Sequence, residues 1–562
     1  MNTRAEFIQA TKAAARPDPI TVEVVRNKLD GIADEMELTL LRSSFSPIVK
    51  EGLDASAGMF TADGSAIATA CAIPAHLGSL VPAIAQIITT YPVQTMREGD
   101  AYILNDPYMG GSHLPDIAVV MPVFAEGRVI ALTAAVTHHQ DVGGMTAGSV
   151  PTNSTEIFQE GIRIPPLKLL DQGVYNETLI AMLRRNVRIP DMFMGDLNAE
   201  IAACKVGARR IQEAASAYGA QHLCDIFDDL LDRSELLTRQ ALRALPQGTF
   251  TAVDYLDNDG VELDKPVRVQ VAVTISGDSI HFDFEGTSPQ TRGPINCVPS
   301  VLQSTAFYAV RALTDPDIPN NGGCQRVINL HLPEGSLVNP IEPAPVNARS
   351  ATMKRIAGCI IAAMAQALPE RVPAPSGSEL VVMAFGGIHE GRRFVVGDLV
   401  AAGSGAAFGH DGVDVIETDM TNCMNLPAEA MELEAPIRIR QVALRKDSGG
   451  PGQYRGGLGT VREYEILADT VSMSHRGERH FHPAQGIFGG EAGAAARSWI
   501  ERADGRIETI PSKIVTTLHK GDHLIVETAG GGGYGPVARR AAAALRDDLA
   551  NGKVSDIQPA SA

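Results

Sequence analysis

Residues 105–144, NDPYMGGSHLPDIAVVMPVFAEGRVIALTAAVTHHQDVGG, hold the densest set of potential metal ligands in this 562-residue sequence. His113 stands three residues before Asp116, and His138 follows across two apolar runs, IAVVMPVF and VIALTAAVT. Two imidazoles and a carboxylate form a ligand set for a divalent transition ion, with positions left open to water or substrate. The donors suit zinc, manganese or iron equally.

Such chemistry needs elements that bring the three together. Two apolar runs around a Gly-containing turn predict a β-hairpin. With Glu126 and Gly127 at its tip, Asp116 lies opposite Thr137 and His138 falls beside it. Gly110 and Gly111 let the approach to His113 bend, and Pro115 stiffens entry to the strand. A shorter hairpin is predicted just upstream, from AGMF, the turn TADG and SAIATA. Asp54 and His76 flank it. Either could supply a further ligand from a neighbouring strand end; Asp54 is the better candidate, whereas His76 opens a helix-like stretch and is expected rather to cap it. Before these, Val25, Leu29, Ile32, Met36 and Leu40 recur at helical spacing, with Thr21 placed to cap.

The remaining pattern predicts a mixed α+β, multi-domain chain, rich in strands and Gly-rich loops and carrying one helical segment. Length alone suggests roughly two to four domains. The expected regions are 1–175 (α+β, with the metal site), 176–247 (helical), 248–375 (strands and a buried helix at 349–367) and 376–562 (β-rich). Asp196, Asn198 and Glu200 fall early in a predicted helix, where acidic groups favour the positive end of the dipole.

Composition narrows the function. A net charge of −18, with no Lys/Arg block interleaved with aromatics, argues against a nucleic-acid track. The 54 glycines and 34 prolines fit a loop-rich enzyme subunit better than a helical scaffold. Seven scattered cysteines without a CxxC read as buried thiols in a reducing compartment, so the cytoplasm is expected. No signal-peptide core and no membrane-length apolar window is found. His475, His480 and His482 lie in an Arg-rich stretch with no carboxylate turned toward them, and a second metal site is not expected there. Gly530, Gly532 and Gly535 match GxGxxG, but no second strand follows to complete a dinucleotide fold. The phosphate-binding pattern G-x-x-x-x-G-K-[ST] is absent too, so any ATP is expected on another chain.

The series NDPYMGGSHLPDI, THHQDVGG, EIFQEGIRIPP, EGTSPQTRGPIN, NLPAEAMELEAP, DSGGPGQYRGGLG and ETAGGGGYGP, in that order, resembles the hydantoinase B family. The family is similar across N-methylhydantoinases, 5-oxoprolinases, caprolactamases and the larger acetone and acetophenone carboxylases. The match runs from about residue 18 to 536. The resemblance implies a hetero-oligomer with a hydantoinase A type partner, an actin-like ATPase that phosphorylates the oxygen of an amide or ketone. The intermediate is then processed on the B-type chain at a metal site. In the carboxylase members the ligands follow H-x-x-D and a later histidine, which map onto His113, Asp116 and His138. Asp54 follows from its place in Glu51-x-x-Asp54. The chain is shorter than the carboxylase subunits, which points to hydrolysis of a small cyclic amide, with ATP-dependent ketone carboxylation as the alternative. An iron oxygenase and a metal-free scaffold are rival classes. His139 and Asp141 are the candidate catalytic residues, either accepting the proton of a water or orienting an imidazole, and both roles stay open.

Overall fold

The computed structural model describes residues 17–70, 72–378 and 380–555, except the side chain of Leu77, so Cys71 lies outside the described residues. Helices and several sheets are mixed along the chain, as the pattern predicts.

The first helix, α1 (Pro19–Ser43), buries Val22, Val25, Leu29, Ile32, Met36 and Leu40. Its cap is Asp18 rather than Thr21: the Asp18 carboxylate accepts the Thr21 backbone N–H at 2.9 Å. A carboxylate one turn before the first buried position does what a threonine inside the helix cannot, because only a residue outside the helix can turn its side chain back onto the free N–H groups.

Seven strands follow: β1 (Ala55–Thr61), β2 (Ala66–Thr69), β3 (Ala101–Leu104), β4 (Asp116–Ala125), β5 (Arg128–His138), β6 (Leu167–Asp171) and β7 (Val174–Tyr175). They form one antiparallel sheet in the order β2-β1-β5-β4-β3-β6-β7. The β4–β5 tip is Glu126-Gly127, both at positive φ (49° and 75°), as a tight two-residue hairpin turn requires. The register differs from the uninterrupted count. A bulge leaves Ile130 unpaired, since Phe124 faces Val129 while Val123 faces Ala131. Every later pair is displaced by one residue, and Asp116 faces His138 itself instead of Thr137.

The strand β1 lies on the other side of β5, with Ala55 opposite Thr137. One face of this sheet is covered by α2 (Pro74–Thr90), the other by α1 and the helical segment. That segment comprises α3 (Glu177–Asn186), α4 (Pro190–Tyr218) and α5 (Ala220–Ala244). Asp196 and Glu200 do not serve the α4 dipole. Both are buried well inside the helix, where Asp196 accepts the backbone N–H groups of Phe45 and Ser46, and Glu200 those of Thr137.

A second sheet contains β8 (Gly248–Leu256), β9 (Val267–Ser276), β10 (Ser279–Asp283) and β11 (Ile328–His331). Between β10 and β11 runs α6 (Pro299–Leu313), a helix absent from the sequence reading, which packs on α2. The buried helix α7 (Arg349–Ala365) covers this sheet. Beyond it, β12 (Leu380–His389), β13 (Arg392–Ala401), β14 (Ile437–Leu444), β15 (Thr460–Ile466) and β16 (Thr470–Arg476) enter two further sheets. The strand β16 pairs with β12 so that Arg476, its last residue, faces Val382.

Candidate metal centre

The loop ahead of β4 is clamped before it delivers a ligand. The Asn105 side chain donates to the carbonyls of Leu114 (2.7 Å) and Ile162 (3.0 Å) and accepts from Ile164 N–H (2.7 Å). Gly110 has φ +97°, and a side chain on Gly111 would stand 2.5 Å from the Asn105 carbonyl, so only glycine allows the bend. His113 is thereby set above the start of β4. The bulge sets His138 opposite Asp116, and the His138 N–H donates to the Asp54 carbonyl at 3.0 Å.

Three atoms form a tight triangle. His113 Nε2 lies 2.8 Å from Asp116 Oδ1 and 3.2 Å from His138 Nδ1, and His138 Nδ1 is 3.2 Å from Asp116 Oδ1. Ligands about 2.0–2.1 Å from a shared ion stand roughly 3 Å apart, so the edges have the right length. Proton placement gives a second test. His113 Nδ1 is 3.0 Å from the Asn347 carbonyl, which can only accept, so Nδ1 carries the proton and Nε2 presents its lone pair. Burial, helped by the Arg349 charge, pushes the His113 pKa down to about 3 and keeps the ring neutral. Asp116 resists burial: the charges of Arg349 and His76 hold its carboxyl well below the usual range. A lone pair thus faces an ionised carboxylate at contact distance, an arrangement that a cation between them resolves.

Asp54 and His76 border the triangle. His76 Nε2 is 3.4 Å from Asp54 Oδ1 and 3.6 Å from Asp116 Oδ2, and His138 Nδ1 is 3.9 Å from Asp54 Oδ2. His76 is therefore not a helix cap. It sits in the first turn of α2 with its ring turned into the cluster, and the α2 N-cap position, Ile73, makes no side-chain bond. Burial opposes a charge on His76, yet Asp116 and Asp54 hold its pKa above the ordinary value. The side chains of His76, His113 and Asp116 are closed off, whereas 14% of Asp54 and of His138 is exposed. Access to the cluster is from that side.

His139 and Asp141 are not brought into the cluster. Successive strand residues point to opposite faces, so His139 turns away from His138. Its ring packs on Phe193 at 4.5 Å, and Glu200 lies 3.6 Å from Nε2. Asp141 accepts from the N–H groups of Gly143, Gly148 and Arg188 and from the Arg188 guanidinium, which shapes the loop after β5.

Two arginines were not singled out from sequence. Arg349, the first residue of α7, donates to the Asp116 carboxylate. Arg476 closes the same pocket, whose wall also includes Met353, Leu380, Val382 and Leu399. A signal existed for Arg349: a cation at a helix N-terminus opposes the dipole and needs an anion nearby.

Imidazoles and carboxylates packed around one pocket of an α+β chain give a donor set that could hold a divalent cation. The chain belongs to the Hydantoinase B/oxoprolinase family, whose model matches residues 18–537. It is similar to the uncharacterized protein MJ0963 of Methanocaldococcus jannaschii, 36% identical over 541 residues, covering 96% of this chain and 94% of that one. The crystal structure of the ATP-dependent caprolactamase from Pseudomonas jessenii superposes with a TM-score of 0.89 at 31% identity, covering 96% and 94% of the two chains. The matching caprolactamase sequence is that of its subunit beta. A nucleotide-free acetone carboxylase structure shares the fold, with a TM-score of 0.89 at 21% identity over 98% of this chain and 81% of that one.

Proposed function

We propose that this chain is the metal-bearing subunit of an ATP-dependent cyclic-amide hydrolase, acting on a ring amide phosphorylated by a hydantoinase A type ATPase partner. The observation that carries the reading is the His113–Asp116–His138 triangle, in which a neutral imidazole lone pair and an ionised carboxylate converge. Likeness to an ATP-dependent caprolactamase, named with a subunit beta, supports the amide substrate and the separate ATPase.

In this scheme His113 Nε2, Asp116, His138 and Asp54 hold a divalent zinc, manganese or iron ion. Such an ion supplies Lewis acidity and lowers the pKa of water toward neutrality. The Asn347 carbonyl keeps the His113 proton on Nδ1, which fixes the donor atom. The half-open flank between Asp54 and His138 admits water and the ring, while Leu380, Val382 and Leu399 keep the far wall apolar.

The reaction balances with two waters. ATP transfers its γ-phosphoryl group to the amide oxygen on the partner. One water adds to the activated carbon, the ring C–N bond breaks with a proton passing to nitrogen, and an acyl phosphate remains. A second water releases phosphate and the free acid. Changing His113→Ala should abolish ring opening in the two-subunit complex while the partner still turns over ATP. Ring opening at the unsubstituted rate would sink the proposal. Running the reaction with labelled bicarbonate separates hydrolysis from carboxylation, since only carboxylation retains the label in the acid product.

A further inference from the structure

The pocket beside the triangle is lined by two buried arginines, each with a guanidinium nitrogen that has no hydrogen-bond partner among the described residues. Arg476 is buried, and among the described residues it donates from Nη1 to Asn347, at 3.0 Å to the carbonyl and 3.3 Å to the side-chain oxygen. Its Nε has no hydrogen-bond partner among the described residues, nor does Arg476 form an ion pair there. A guanidinium in that position bears a desolvation cost that an anion must offset.

Arg349 lies against it with Nη2 on Asp116 and with Nε likewise unpartnered and buried. The two guanidiniums raise each other's cost, which is why burial and then Arg349 push the Arg476 pKa down to about 9. The N-terminus of α7 adds to the same field. Its 17 residues begin at Arg349, and the N-cap Ala348 offers no side-chain acceptor.

The nearby carboxylates are already engaged. Asp116 serves the triangle and Arg349, and Asp398 is paired with Arg462 at 2.9 Å. Glu160 accepts the N–H groups of Val346 and Asn347 and the Ser154 hydroxyl, and burial pushes its pKa up to about 7. Asp54 and Asp116 together balance two arginines, so a dication in the triangle would leave the pocket in need of a further anion.

We propose that Arg476, with Arg349 and the N-terminus of α7, seats the phosphoryl oxygens of the phosphorylated amide beside the triangle. The inference rests on the proposed hydrolase reading and adds to it the residues that hold the phosphoryl group. Planar guanidinium donors match a phosphoryl oxygen face two at a time, as a lysine would not. The Asn347 carbonyl holds both Arg476 Nη1 and His113 Nδ1 at 3.0 Å. One backbone atom thereby fixes the anion-binding group relative to the metal-facing imidazole. The phosphoryl group would stay seated through C–N cleavage and leave only when the acyl phosphate is hydrolysed.

The test titrates inorganic phosphate, acetate and bicarbonate separately into the full chain after its metal content has been measured. Wild-type chain should bind phosphate in preference to the other two. Arg476→Met should weaken phosphate binding tenfold or more with metal content unchanged. If that variant fails to fold by circular dichroism, Arg476→Gln, which keeps a donor for the Asn347 carbonyl, reads the same loss. Phosphate binding unaltered in the folded variant overturns the proposal, as does preference for acetate or bicarbonate. A wild-type chain that binds phosphate through Arg476 yet takes up no zinc, manganese or iron when each is supplied would refute the metal reading and leave the anion site standing.

Discussion

His113 with His138, and His475 with His480, are two histidine pairs held at strand ends, with ring centroids 5.0 and 6.2 Å apart. They differ in what is left over after hydrogen bonding. His475 meets the Ser512 carbonyl at Nδ1 (3.1 Å) and the Ser498 hydroxyl at Nε2 (3.0 Å), so both nitrogens are engaged. The carboxylate nearest its partner, Asp257, is occupied by the backbone N–H groups of His480 and Phe481. His113 uses one nitrogen on a carbonyl and aims the other at a carboxylate. Burial and proximity are common to both pairs; an imidazole lone pair aimed at a carboxylate oxygen belongs to one.

The sharpest way to break that contrast is metal analysis of matched variants. Asp116→Ala or His138→Ala should lose the bound metal altogether, whereas His475→Ala should retain it. Metal retained by both triangle variants would erase the distinction drawn here. A smaller effect is expected from Glu160→Gln. Both Glu160 oxygens accept, Oε1 from Asn347 N–H and Ser154 and Oε2 from Val346 N–H, so an amide must turn an NH₂ group against one of these donors. Asn347 in turn orients His113. Substituting such an outer partner typically costs ten- to a hundredfold in metal affinity, and a metal titration of the purified variant would measure it.

The second pair is predicted to matter for stability. His475→Ala leaves the Ser498 hydroxyl and Ser512 carbonyl without this partner, worth about 1–3 kcal/mol by denaturant unfolding. Burial holds the His475 pKa down to about 3, against an ordinary 6.5. A depressed folded pKa gives stability that is complete above 6.5 and lost as pH falls toward 3, because the unfolded chain takes up the proton first. Wild-type protein should therefore destabilise across that acid window more steeply than His475→Ala. Equal slopes would remove His475 as a source of the acid sensitivity.

The sequence made the triangle legible because period-two alternation and the Glu126-Gly127 tip are local signals. The same reading put Thr137 opposite Asp116, because a bulge at Ile130 comes from packing and carries no dipeptide signature. His76 was given a capping role ahead of a ligand role for a related reason. Its first-turn position suggests capping, whereas the direction of its ring depends on α2 lying against a sheet assembled from distant strands. Arg476 is farther still from any local rule, being 363 positions from His113 yet sharing one carbonyl with it. The helix Pro299–Leu313 escaped because a long irregular loop precedes it and Pro299 reads as punctuation, although proline is favourable in a first turn.

The smallest expected effect lies directly behind the metal centre. Glu200 is fully buried, and burial raises its pKa well above the usual carboxylate value. Its Oε1 accepts from Thr137 N–H (2.9 Å) and the Thr137 hydroxyl (3.0 Å), whereas Oε2 has no hydrogen-bond donor among the described residues and faces His139. Unlike Glu160, it therefore has one oxygen free to become an NH₂ group. Glu200→Gln should preserve the bond to Thr137, leave His138 in place and change neither metal content nor ring opening. A raised folded pKa means stability present below the ordinary 4.5 and lost as pH climbs through the folded value. The amide removes that loss, so the variant should match wild type within about 0.5 kcal/mol below pH 4.5 and gain on it as the pH rises above that value. Glu200→Ala, which leaves the Thr137 N–H unmet, should instead lose about 1–3 kcal/mol, and a Gln variant as unstable as the Ala one would show that the charged form is what the fold uses.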